Sequence, residues 1–188
     1  MKPFYQGRID TFCAIYAVLN ALRITHGIRT LKARELLNDT LMDLIKSPEQ
    51  FKSVLDQTTD YINMVDNMLI KFAKKFPLAI EYPFIKSDNV TVEQFWDVCR
   101  SWMDIGPQRT AVFRFMRFFN INEAPTVKHW TAIGTIDDDT LSLYDSSHDA
   151  ESIQHLHPQT IVTDIKKIDK DKTIFVQPNT LRLLRLPY

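Results

Sequence analysis

The sequence predicts an α+β fold in which helices come first and strands follow. Three observations carry this reading. One early run is apolar on nearly every side, apolar residues keep helical spacing through the first half, and the spacing turns to alternation after Pro107. At 188 residues the chain suits one domain or two closely packed lobes. It is read as a single domain over 1–188, with 1–107 mainly helical and 108–188 mainly β.

The elements follow in order. From about Phe12 to Thr25 the run CAIYAVLNALRIT marks a helix buried all round. Asp10 or Thr11 can cap its start, and Gly27 suits its C-terminal cap. A second helix, Leu31 to Lys46, places Ala33, Leu36, Leu37, Leu41, Leu44 and Ile45 at helical spacing. Ser47-Pro48-Glu49-Gln50 predicts an N-cap, a first-turn proline and a capping box for the next helix. That pattern runs from Phe51 to Phe72 and is expected to break near Thr58-Thr59-Asp60. Leu78 to Ile85 is extended, and Pro83 confines it to a sheet edge. A last helix starts at Thr91, where Thr91 and Gln94 form a capping box and Val90 with Phe95 a hydrophobic staple. It buries Val92, Phe95, Trp96, Cys99, Trp102 and Met103 and ends at Gly106-Pro107. Strands are predicted over Thr110–Phe119, His129–Ile136 and Thr140–Asp145, the last two around an Asp137-Asp138-Asp139 turn. Later strands are Thr160–Ile168, Thr173–Gln177 and Thr180–Leu186, with a Pro178-Asn179 turn between the final two.

Composition narrows the function. Lys plus Arg balance Asp plus Glu at 23 each, and the basic residues are scattered, so nothing calls for nucleic acid as a partner. No run approaches a membrane span, and the segment Met1 to Gln6 lacks the apolar core of a signal peptide. A cytoplasmic protein is expected, or one delivered without a classical signal. Four glycines, Gly7, Gly27, Gly106 and Gly134, cannot assemble a phosphate-binding loop. Two cysteines are too few for a disulfide scaffold or a thiolate zinc site. No metal or organic cofactor is expected.

Of the two, Cys99 lies on the buried face of a helix and reads as core. Cys13 opens the buried helix, where unpaired backbone N–H groups and the helix dipole favour a thiolate. A cysteine in an apolar helix is also a common small core residue, so partners must decide. Among five histidines, His26 sits at a helix end beside Gly27, and His155 and His157 read as a solvated pair. His148 lies in a polar loop sequence. His129 opens a strong strand. If Asp137 to Asp139 form a three-residue loop, Ile136 pairs with Thr140, Thr131 faces Asp145, and His129 becomes the diagonal neighbour of Asp145. A two- or four-residue loop would turn Asp145 to the other face. In that register Asp145 accepts the ring proton of His129; the competing reading is a polar loop ending a strand. Gln6, just upstream of Cys13, could donate its side-chain amide to an oxyanion beside the Cys13 backbone N–H.

YQGRIDTFCAIYAVLNAL (5–22) followed by KHWTAIGTIDDDTLSLYDSS (128–147) resembles the papain-like cysteine peptidase superfamily, especially its small bacterial members. In that superfamily a Gln precedes a Cys heading a central helix, and a His and an Asn or Asp come later from a β-rich lobe. The order Gln6, Cys13, His129, Asp145 matches. Gln6 lies one residue farther from the Cys than in plant-type members, and Ala14 stands where glycine is common. The segment between Leu31 and Trp102 has no counterpart. The resemblance implies a papain-like fold, with an N-terminal helical lobe and its nucleophile helix packed on a C-terminal antiparallel β-sheet. It implies an amide hydrolase acting on a protein or peptide through a thioester, first of all a cysteine protease. The alternatives are a glutamine deamidase or acyl-transfer toxin or effector, and an inactive papain-like binding module. An inhibitor or immunity protein would be a fitting partner.

Overall fold

Helix α1 (Cys13–His26) lacks a polar face, and the fold encloses it. It lies against strands β2 (Arg109–Arg117) and β3 (Val127–Ile136) on one side and against two helices, α2 (Thr30–Ile45) and α4 (Tyr61–Ala73), on the other. Gly27 adopts the left-handed conformation at its C-terminus, φ 64°, and returns its N–H to Arg23 O. A β-carbon disfavours that conformation, so glycine is the residue that ends the helix there. At the other end Phe12 occupies the cap position without a side-chain hydrogen bond. Thr11, expected as a cap, instead donates its hydroxyl to Val54 O at 3.2 Å.

The computed structural model describes residues 2–5, 11–87, 89–147 and 153–187. Within them the architecture is mixed α+β, with five α-helices and seven strands. The long apolar pattern from Phe51 to Phe72 does break at Thr58–Asp60, giving α3 (Pro48–Leu55) and α4. Asp60 caps α4 by accepting from the N–H groups of Ile62 and Asn63. Ser47 occupies the cap of α3, but its side chain makes no cap hydrogen bond, so the expected capping box is absent there. The box at Thr91 and Gln94 is formed in both directions and starts α5 (Val92–Asp104).

The strand order is β1-β7-β2-β3-β4-β5, with β6 also paired to β7. β1 (Ala79–Glu81) is an edge strand, as Pro83 required. β4 (Leu141–Leu143) and β5 (His155–Leu156) form the other edge. Three expectations need correction. Thr160–Ile168 is not one strand: β6 (Ile161–Val162) is two residues long, and Asp164 then caps a 3-10 turn at Ile165–Lys167. β6 also runs parallel to β7, whereas every other pairing is antiparallel. Finally, β7 (Ile174–Arg185) is one strand, not two, and Pro178-Asn179 lies in an irregularity opposite Val112–Arg114. Thr180 repairs the ladder there, its Oγ1 accepting from Arg114 N–H and donating to Gln177 O.

Alternation along β2 sends side chains to two cores. Val112 joins Trp130, Ala132 and Leu184 beneath α1, α2 and α4. Ala111, Phe113 and Phe115 join Ile133, Leu141 and Leu143 beneath α5. Helix α5, grouped by sequence order with the first half, therefore packs on the sheet face opposite α1. One charged pair crosses the first core. Arg182, 1% exposed, places Nε 2.6 Å and Nη2 2.9 Å from the two oxygens of Asp66 on α4 and stacks over the Tyr82 ring. No helix among the described residues is long and apolar enough to cross a membrane.

Candidate functional site

The hairpin of β3 and β4 decides where Asp145 lies. None of Asp137, Asp138 or Asp139 adopts a positive φ, which a three-residue loop of the bulged type needs. Instead Asp137 accepts from the N–H groups of Asp139 and Thr140, at 3.0 and 2.7 Å, and its own N–H donates to Thr140 O at 2.9 Å. The loop thus has four residues, and Ile136 pairs with Leu141 rather than Thr140. By itself this would turn Asp145 away from His129. The register shifts back by one residue at Gly134, between the pairs Ile133↔Leu143 and Thr135↔Ser142. Ile133↔Leu143 is the pairing that the three-residue loop predicts. The turn expectation was wrong, and a β-bulge restores its consequence.

Asp145 and His129 therefore meet. Nε2 of His129 lies 2.9 Å from one carboxylate oxygen and 3.1 Å from the other. Both residues are buried, at 7% and 2% exposure. The Ser147 N–H donates to the same carboxylate at 2.6 Å, fixing its orientation. The edge of the His129 ring rests on Phe115, its cross-strand partner, at 5.5 Å between centroids. With Nε2 committed to Asp145, Nδ1 is the ring nitrogen left to act on Cys13. The thiol stands close enough to serve as a hydrogen-bond and Coulomb partner of the ring.

The electrostatics follow from this placement. Burial opposes charge on His129, but hydrogen bonds to Asp145 and to Cys13 outweigh it and hold the imidazole above its ordinary range. Burial likewise opposes charge on Asp145, and His129 with the Ser147 backbone outweighs it, keeping the carboxyl below its ordinary range. The pair rests as imidazolium and carboxylate.

Cys13 is half-buried, while Cys99, on the inner face of α5, is fully enclosed, and burial drives its thiol far above the ordinary range. That contrast separates the two cysteines as their sequence positions suggested. His155 and His157 are exposed; the first contacts Ser142 Oγ and the second donates to Asp139 O. His26 lies beside Thr25 and Phe76 at the end of α1. Among the described residues no cluster of three or more His, Cys, Asp and Glu side chains could hold a metal. Gln6 and His148 lie outside the described residues.

Cys13 and His129 open into a cavity of about 110 Å³ whose wall includes Thr11, Gln57, Tyr61, Arg114, Lys128 and Trp130. Sequence reading missed these residues. The α3–α4 junction supplies Gln57 and Tyr61, so the helical segment without a counterpart in the resemblance contributes one wall. Val54 O knots that wall to the nucleophile helix, accepting from both Thr11 Oγ1 and Tyr61 Oη. Burial, and Coulomb contact with Cys13, push the Tyr61 hydroxyl up to about 12, so it stays a neutral donor. One signal was legible: Arg114 interrupts the apolar run of β2 between Phe113 and Phe115.

Compared with known proteins, the chain matches no family model and no curated protein sequence.

Proposed function

We propose that this chain is a papain-like cysteine hydrolase that opens amide bonds in a protein or peptide, as a cysteine protease. The observation that carries the reading is the ordered line from Cys13 through the His129 ring to Asp145 at 2.9 Å, facing a cavity. Cys13 Sγ attacks the amide carbonyl carbon, forming the S–C bond. His129 delivers its proton to the nitrogen as the C–N bond breaks. It then takes a proton from water, whose oxygen attacks the thioester and expels Sγ. Asp145 holds the ring tautomer and balances the imidazolium. The first turn of α1 offers unpaired backbone N–H groups near the developing oxyanion, including that of Cys13.

The test is selective alkylation. Iodoacetamide at mildly acidic pH should label Cys13 much faster than Cys99, and His129→Ala should abolish the preference. Equal, slow labelling of both cysteines would sink the hydrolase reading and leave a binding module. Mass spectrometry of a candidate substrate then separates chain cleavage from a one-dalton gain at glutamine, the mark of a deamidase.

A further inference from the structure

The cavity wall carries a charge that the three-residue mechanism does not use. Arg114 is half-buried, and its guanidinium makes no hydrogen bond or ion pair with any described residue. Its recorded neighbour is the Tyr61 ring, 6.0 Å from the centroid, at the outer limit of a cation–π contact. Other inward-facing arginines are matched: Arg182 by Asp66, Arg109 by the Trp102 ring at 4.4 Å. Leaving a guanidinium partly desolvated and unpaired is costly, and burial does lower its hold on the proton, with Cys13 and Tyr61 recovering only part.

Two further donors share the wall. Trp130 is 1% exposed, and its buried Nε1–H finds no acceptor. Lys128 is exposed at the same cavity and has no ion pair among the described residues. The hydroxyl protons of Thr11 and Tyr61 are already given to Val54 O. No Asp or Glu stands among the described lining residues. In a chain whose formal charge is +0, this is a local excess of positive charge and donors beside the nucleophile. Beyond the Cys13 thiolate itself, no anionic acceptor faces these donors among the described lining residues.

We infer that the cavity receives a carboxylate of the substrate, bound by the Arg114 guanidinium, so that the amide bond presented to Cys13 lies within a few bonds of an acidic group. This rests on the hydrolase reading above and specifies its substrate class. Arg114 suits the task because a planar guanidinium grips a carboxylate through two parallel hydrogen bonds. The carboxylate belongs either to an acidic side chain or to a chain terminus, and the test distinguishes them.

Alkylation of Cys13 in the full chain by iodoacetate and by its neutral isostere iodoacetamide reads the charge without any substrate. Toward an ordinary thiolate iodoacetate is the slower reagent, because like charges repel. Here it should be the faster, and the rate ratio should fall roughly tenfold in Arg114→Gln while Arg114→Lys keeps most of it. A ratio unchanged in Arg114→Gln overturns the inference. If that variant does not fold, protection of the wild-type chain from iodoacetamide decides. N-acetylglutamate α-amide protecting Cys13 supports a side-chain carboxylate, and N-acetylglycine protecting it supports a terminal one. Protection by neither, or equal protection by neutral acetamide, overturns the inference. Slow labelling of Cys13 by both reagents is a different failure, that of the hydrolase reading itself.

Discussion

A β-carbon built on Gly134 would lie 3.3 Å from the carbonyl oxygen of Ser142 and 3.6 Å from the Tyr144 Cβ. The first contact is with backbone, which cannot swing aside as a side chain can. Gly134 is also where the register of β3 against β4 shifts, and on that shift depends whether Asp145 faces His129. Gly134→Ala should therefore cost about 1–3 kcal/mol, the usual range for overpacking. Larger Gly134→Val should cost more and lower the reactivity of Cys13 as Asp145 leaves the ring. Urea denaturation gives the first quantity and iodoacetamide labelling the second. A stable Gly134→Val with full reactivity would show that the bulge does not position the site.

Asp145 can be tested by its two roles. Asp145→Ala removes both the ring's acceptor and the countercharge, and should lower kcat/KM by about 10²–10⁴-fold. Asp145→Asn retains a carbonyl oxygen that can accept from both Ser147 N–H and Nε2–H, so it should lose less. In both variants the pH profile of Cys13 alkylation should move, because His129 no longer has its carboxylate. Identical losses and unmoved profiles would reduce Asp145 to a packing residue.

The same pair predicts how stability depends on pH. The His129 value is raised from 6.5 on folding, so its contribution is complete below 6.5 and lost as pH climbs through the raised value. The Asp145 value is lowered from 3.8, so its contribution is complete above 3.8 and lost as pH falls through the lowered value. The difference in unfolding free energy between wild type and His129→Ala should thus be largest between 3.8 and 6.5 and shrink on either side. A difference that grows above neutral pH would contradict the assigned charge states.

Arg182 and Asp66 make the strongest structural charge pair described. The Arg182 side chain is 1% exposed and that of Asp66 21%. Asp66→Ala strands a buried guanidinium and should destabilise the fold near the low end of the ~3–5 kcal/mol range, since water can partly replace the carboxylate. Exposed pairs such as Lys32–Glu35 and Lys46–Asp43 should contribute little beside it, because water screens both partners. A double-mutant cycle on Arg182 and Asp66, read in urea, measures the coupling; a value near zero would mean the pair is incidental.

The sequence by itself determined what local physics can determine. That α1 exposes no residue followed from a run with no polar face. The break at Thr58–Asp60, the capping box at Thr91 and the edge placement before Pro83 each rest on residues within a few positions of one another. The distinction between Cys13 and Cys99 was equally local: one heads its helix, the other lies on a buried face. Tertiary structure decided the rest. It set the four-residue turn and compensated it at Gly134, because register belongs to two strands together and a one-residue change anywhere along it is felt at Asp145. The parallel pairing of β6 and the passage of β7 through Pro178 likewise depend on partners distant in sequence. It also brought Gln57 and Tyr61 from the α3–α4 junction, and Arg114 from β2, to the wall beside Cys13. No spacing within a strand or helix encodes that meeting, since it comes from packing α1 and the α3–α4 junction against the same face of the sheet.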